Sequence, residues 1–120
     1  MRLTRRLTLL AALACAAFGA APSWADTYPS KSVRIIVPYA TGGGSDILAR
    51  QIGARLQQMW GQGVVVDNRA GASGNIGTEA VVRSPADGYT LLLQNSTMVV
   101  VPALGTKLNY DPEKDLTDRK

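Results

Sequence analysis

The chain has 120 residues, with 13 Lys or Arg against 9 Asp or Glu, one cysteine and no histidine. Without histidine, Ser-His and Cys-His nucleophile systems and the usual nitrogen-and-sulfur zinc site are excluded within this chain. The formal charge of +4 gives no footprint for nucleic acid, because the charges are scattered and three cations fall in an N-terminal segment of another kind.

That segment has the layout of a secretory signal peptide. Arg2, Arg5 and Arg6 precede an apolar stretch from Leu7 to Ala21, and Pro22-Ser23-Trp24-Ala25 puts small residues at the −3 and −1 positions of a cut after Ala25. A membrane span needs about 20 apolar residues, which the stretch does not reach. Thr4-Arg5-Arg6 is a partial twin-arginine pattern. Ala12-Leu13-Ala14-Cys15 is a poor lipoprotein box, since Ala12 stands where a larger aliphatic residue is usual. Residues 26–120 then carry ten cations against nine anions and no cysteine, a composition suited to an oxidising compartment without disulfides.

The first element is a strand over Val33 to Val37, β-branched and apolar apart from Arg34, and closed by Pro38. After the small-residue loop Tyr39 to Ser45, a helix is expected from about Asp46 to Trp60. Ser45 would be its N-cap, Leu48, Ile52, Leu56 and Met59 its apolar face, and Gly61 or Gly63 its stop. Asp46 would sit in the first turn, where a carboxylate interacts favourably with the helix dipole.

Val64-Val65-Val66 reads as a second strand ending at Asp67-Asn68, followed by a second small-residue loop, Arg69 to Asn75. A short helix is expected from about Ile76 to Arg83 with Asn75 as N-cap. Pro85-Ala86-Asp87-Gly88 reads as a β-turn, and Tyr89 to Leu93 as a third strand. Gln94 to Thr97 is a third polar loop. Met98 to Leu104 reads as a short helix capped by Ser96, although its three valines also suit a strand.

Strands separated by room for one helix each form a βαβαβ unit with parallel strands, apolar on both faces where helices cover the sheet. Ligands bind at the carboxyl ends of such strands, which is where the three glycine-rich or hydroxyl-rich loops fall. The triple glycine Gly42-Gly43-Gly44 opens onto a helix start, the arrangement that binds anions through backbone N–H groups. Thr41 to Ser45 and Gly71 to Asn75 are therefore expected to hold a carboxylate without a dedicated arginine. Asp46, Asp67, Glu79 and Asp87 form no pair marked out by spacing, so they read as caps, turn residues and solvated charges.

A dinucleotide site is the sharpest alternative. The glycines lie between strand and helix, and Asp67 ends the next strand about 20 residues on. Against it, the third glycine of G-x-G-x-x-G would fall on Ile47, and Pro38 to Thr41 lengthen the turn. No Gly-Lys-Ser/Thr follows, which excludes a P-loop. An exported α/β enzyme fragment remains a second alternative, though no acid-base or nucleophile pair supports it.

Several motifs together resemble one family. They are Tyr28-Pro29-Ser30-Lys31, Val33 to Tyr39, Ala40 to Asp46 with Ala49-Arg50, Val64 to Arg69, Gly71 to Gly77, Ala86 to Leu92, Pro102-Ala103-Leu104 and Leu108 to Pro112. The chain is similar to the extracytoplasmic solute receptors of tripartite tricarboxylate transporters, the Bug proteins. The resemblance implies a type II periplasmic-binding-protein-like α/β fold with a doubly wound sheet and two domains that close on an organic acid. The receptor would deliver its ligand to a membrane permease of one large and one small subunit, with no cofactor or metal. By motif match, Tyr39, Thr41, Gly42, Gly43, Gly44, Asp46, Ser73, Gly74, Asn75 and Ser96 are the expected substrate-binding residues, Asp46 more as a cap shaping its loop. Family members are over twice as long. After Asp115-Leu116 they usually continue into apolar sequence, where this chain has Thr-Asp-Arg-Lys. Residues 26–120 are therefore expected to be the N-terminal part of the first domain, with the second domain absent.

Overall fold

The computed structural model describes residues 27–116. The expected signal segment and its cleavage after Ala25 lie outside the described residues.

A run of β-branched side chains sets the centre. Strand β1, Val33–Val37, pairs in parallel with β2, Val64–Asn68, on one side and with β3, Thr90–Leu92, on the other, giving the order β2-β1-β3. The register places Val33 opposite Val64 and Val37 opposite Asn68, and Arg34 to Ile36 opposite Thr90 to Leu92. The third strand is shorter than Tyr89 to Leu93. Its ladder still extends to both expected ends, since Arg34 N–H donates to Tyr89 O (2.8 Å) and Leu93 N–H to Ile36 O (2.9 Å).

As the central strand, β1 is buried at Val33, Ile35, Ile36 and Val37. Coverage of both faces holds for β1 but not for β2, where Val65 is 54% exposed. Ile35, Val37 and Ala49 form the core cluster, with Tyr39, Leu56, Val64, Val66, Leu91 and Leu93 packed around it.

Helix α1 spans Gly44–Trp60 and ends at Gly61, whose φ of 67° and N–H bond to Gln57 O close it as a glycine stop should. Its start differs from expectation. Gly43, not Ser45, occupies the cap position and makes no side-chain bond. The helix can begin there because Asp46, inside the first turn, reaches back to the chain before it. The buried face differs as well. Asp46, Ala49 and Gly53 are buried, whereas Leu48, Ile52 and Met59 are exposed. The helix lies too close to the sheet for large residues: a Cβ on Gly53 would stand 3.3 Å from Val64 Cγ1. Of the four expected face residues, only Leu56 packs on the core.

A 3₁₀ turn, Ala72–Gly74, leads into α2, Asn75–Val82. Gly74, in the left-handed region at φ 91°, holds the cap position expected for Asn75. The Asn75 side chain is engaged instead by Tyr110. Helix α2 packs across β1 and β3. Helix α3, Thr97–Ala103, confirms the helical reading of this stretch. Ser96 stands at its cap position without a side-chain bond, and Asn95 Oδ1 accepts the Thr97 N–H instead (3.0 Å). A last short helix, α4, Pro112–Asp115, is capped by Asp111, which accepts from the N–H groups of Glu113 and Lys114.

Candidate functional site

Parallel strands end on one side of their sheet, so the loops after β1, β2 and β3 meet along one edge. Tyr39, half-buried, ties the first loop to the third. Its hydroxyl donates to Asn95 Oδ1 (2.6 Å) and lies 2.5 Å from Thr97 Oγ1. The ring reaches the second loop too: a Cβ on Gly74 would stand 3.6 Å from Tyr39 Cε1 and 3.5 Å from Gln94 Nε2. Thr78, fully buried, makes the remaining link, with Oγ1 2.8 Å from both Gly74 O and Gln94 Oε1.

Asp46 lies beneath the first loop, only 2% exposed. Its Oδ2 accepts the Gly42 N–H at 2.8 Å. Arg50 Nε straddles the carboxylate, donating to Oδ2 at 3.2 Å and lying 3.0 Å from Oδ1, which it meets off the N–H direction. The same guanidinium donates through Nη2 to Asn68 Oδ1 (3.2 Å), and Asn68 Nδ2 donates to Tyr39 O (3.2 Å). The Gly42 N–H and then Arg50 hold the Asp46 carboxyl below its ordinary value, against burial, which pushes it up. The carboxylate is thus turned under the loop and shapes it. Above it, Thr41, Gly42, Gly43 and Gly44 are exposed. The first bond of α1 runs from Ile47 N–H to Gly43 O, so the N–H groups of Gly44, Ser45 and Asp46 have no acceptor within the helix.

The second loop is wound differently. Ala72 (φ 48°) and Ser73 (φ 56°) are consecutive non-glycine residues in the left-handed region, an uncommon and costly conformation. The Gly74 N–H bonds to Gly71 O and the Asn75 N–H to Ala72 O, so these two expected donor amides close the turn. What the loop presents outward is the exposed Ser73 and the half-buried Asn75 side chain, whose Oδ1 accepts from Tyr110 OH at 3.0 Å. Ser96 is exposed at the tip of the third loop.

The fold therefore brings Tyr39, Gly74 and the third loop into contact, places Thr41 to Gly44, Ser73 and Ser96 on the surface of the three loops, and tucks Asp46 below. Sequence reasoning missed Arg50, Asn68, Thr78 and Tyr110. Asp46 and Arg50 carried a signal, opposite charges at i and i+4 on a helix. The contacts of Asn68 and Tyr110, and that of Thr78 with Gln94, join residues far apart in the chain and carried none.

A family model described as tripartite tricarboxylate transporter family receptor matches residues 48–119. Over 118 residues the chain is 50% identical to Protein BugT of Bordetella pertussis, covering 97% of this chain and 36% of that protein. The fold is similar to that of the periplasmic binding protein BugD, with a TM-score of 0.69 and 38% identity over 73% of this chain and 29% of the other. It is also similar to MatC from Rhodopseudomonas palustris with bound malate, at a TM-score of 0.63 and 33% identity over 73% of this chain and 30% of the other. The chain spans about a third of the length of the curated relatives it matches. With the family model covering more than half of its residues, the chain belongs to the receptor family of tripartite tricarboxylate transporters.

Proposed function

We propose that the protein is an exported periplasmic solute receptor, cleaved after Ala25, of which residues 27–116 form one wall of the binding cleft. It grips a small organic carboxylate and delivers it to a tripartite permease. The observation that carries this reading is the convergence of three strand-to-helix loops, joined through Tyr39 and Thr78 and surfaced by small and hydroxyl-bearing residues. Solved relatives support the ligand class, since MatC holds malate.

In this reading the N–H groups of Gly44 and Ser45, with Thr41, Ser73, Asn75 and Ser96, hold the carboxylate. Gly42, Gly43 and Gly74 keep the approach open, while Tyr39 and Asp46 set the loops. Hydrogen bonds to a charged group contribute about 1.5–3 kcal/mol each. Three or four would approach the roughly −8 kcal/mol of a micromolar complex before association costs. One wall supplies only part of them. Micromolar affinity then needs closure by a second domain, making contacts that exist only in the closed state.

Titration of the isotopically labelled chain with malate, succinate and citrate, followed by NMR, tests the reading. The amides of residues 42–45 and 73–76 should shift together, with affinity no tighter than about millimolar, and calorimetry at micromolar ligand should stay silent. Shifts absent or confined to other residues would overturn the carboxylate site. Micromolar affinity would overturn the single-wall reading.

A further inference from the structure

Thr27 to Lys31 form a strap across the end of the sheet opposite the three loops, where the parallel strands begin. Chain ends fray unless they are tied down, and this one is tied to two separate elements. Tyr28 OH donates to Gly88 O at 2.5 Å, in the turn before β3. Its ring meets Trp60, the last residue of α1, edge-on at 5.9 Å between centroids, and Tyr89 at 5.1 Å. Two residues on, the Ser30 N–H donates to the Tyr89 hydroxyl at 2.9 Å, and Lys31 Nζ stands 4.6 Å from the centre of the same ring. Gly88 admits the strap because it carries no side chain: a Cβ there would stand 3.3 Å from Tyr28 Cε2.

The proposed cut after Ala25 falls three residues before Tyr28. Three residues span at most about 10 Å even when fully extended. With Tyr28 anchored, the bond to be cut is therefore held within that reach of the domain surface, and Thr27, the second residue past the cut, is already part of the strap. A protease draws residues on both sides of a bond into its own cleft as an extended segment. The docked strap and the protease thus compete for the same few residues. We infer that leader removal precedes docking of this strap, so that the chain is cut while the base of the sheet is still open. Once the strap is closed, cleavage waits on local opening and follows the small open population. The inference rests on the exported reading, with its cut after Ala25, and deepens it by giving the order of maturation: proteolysis first, closure of the base second.

Two measurements on the full precursor chain test the order. In the folded precursor, hydrogen exchange at the Ser30 amide should be slowed at least about tenfold, and Tyr89→Phe, which removes its acceptor, should abolish the protection. An unprotected Ser30 would overturn the inference. Purified signal peptidase is then given the folded precursor and a version with six Gly and Ser residues inserted between Thr27 and Tyr28, which keeps the residues at the cut and moves them away from the strap. The spacer version should be cut at least about tenfold faster, the scale of two aromatic contacts and a hydrogen bond opened together, with Asp26 found by mass spectrometry as the new first residue. Trp60→Ala, remote from the cut in sequence, should narrow the gap between the two, and a gap left unchanged by it would overturn the inference. Equal rates with and without the spacer would overturn the inference alone. A spacer version left whole, or cut elsewhere than after Ala25, would overturn the cleavage reading and the inference with it.

Discussion

The carboxylate of Asp46 takes the N–H of Gly42 at 2.8 Å, from a position four residues later in the chain and beneath the loop that Gly42 opens. The contact arches the loop, with Gly42 at φ 89°, and relieves the helix of any need for a cap at Ser45. It also places a negative charge under a loop read as anion-binding. Arg50 offsets that charge at 3.0 Å. The loop is thus shaped by a carboxylate that it hides.

The pH dependence comes from the direction of the shift. Asp46 and Asp111 both titrate below the ordinary 3.8, Asp46 chiefly through the Gly42 N–H and Asp111 chiefly through the Glu113 N–H. A depressed folded value contributes stability that is present above the unfolded value and lost as pH falls through the folded one. Asp46→Asn should therefore lower the thermal midpoint at pH 7 by roughly 5 °C, the scale of exchanging one charge-assisted hydrogen bond for a neutral one in a domain of this size. The difference should close as pH drops below 3.8. Asp111→Asn should show the same window without altering hydrogen exchange at the Gly42 amide. A midpoint gap that persists undiminished at pH 2 would count against this assignment.

The strands were legible because their signal is local. Val33 to Val37 and Val64 to Val66 are β-branched runs, and Gly61 follows the last helical turn as a stop should. The loops were legible too, since Gly42 to Gly44 and Ser73-Gly74 announce small, unencumbered backbone. The face of α1 was not. Periodicity selects the most apolar side chains, Leu48 and Ile52, whereas close packing against a sheet selects the smallest, Ala49 and Gly53. The struts were hidden for another reason: Arg50 reaches Asn68 across 18 residues and Asn68 reaches Tyr39 across 29, distances over which sequence spacing carries no signal.

That inversion of the helix face can be checked by substitution. Leu48 is 50% exposed and Ile52 39%, so Leu48→Gln and Ile52→Gln should each change unfolding free energy by less than about 0.5 kcal/mol. Ala49 is fully buried in the core cluster, and Ala49→Leu should cost about 1–3 kcal/mol by overpacking. Urea unfolding of the three variants reads the order directly. Equal losses at Leu48 and Ala49 would restore the periodic face.

Two helical glycines make a second contrast. A Cβ on Gly77 would meet Pro38 Cβ at 2.7 Å and both Arg69 O and Pro38 Cα at 2.8 Å, and two of these three atoms are backbone that cannot swing aside. Gly77→Ala should push α2 off β1 and cost about 1–3 kcal/mol. At Gly53 the nearest atom is a Val64 methyl at 3.3 Å, on a side chain that can give slightly. There the gain of about 1 kcal/mol from replacing glycine by alanine within a helix offsets the crowding, so Gly53→Ala should be near neutral. Denaturant midpoints of the pair test the contrast, and equal losses would show that α1 is as tightly seated as α2.

Tyr39→Phe isolates the link between the first and third loops. The ring can keep its place beside Gly74, so the change removes only the hydroxyl that meets Asn95 and Thr97. The expected loss is about 0.5–1.5 kcal/mol, the usual net worth of such a bond. Its location says more than its size. Asn95 Oδ1 also accepts the Thr97 N–H at 3.0 Å, so an unanchored Asn95 should speed hydrogen exchange at Thr97 and through the first turn of α3. The amides of α1 and β2 are held through Asp46, Arg50 and Asn68 and should exchange as before. If exchange instead accelerates evenly across the sheet, Tyr39 is a core residue whose hydroxyl does not matter, and the three loops are not joined in the way their geometry implies.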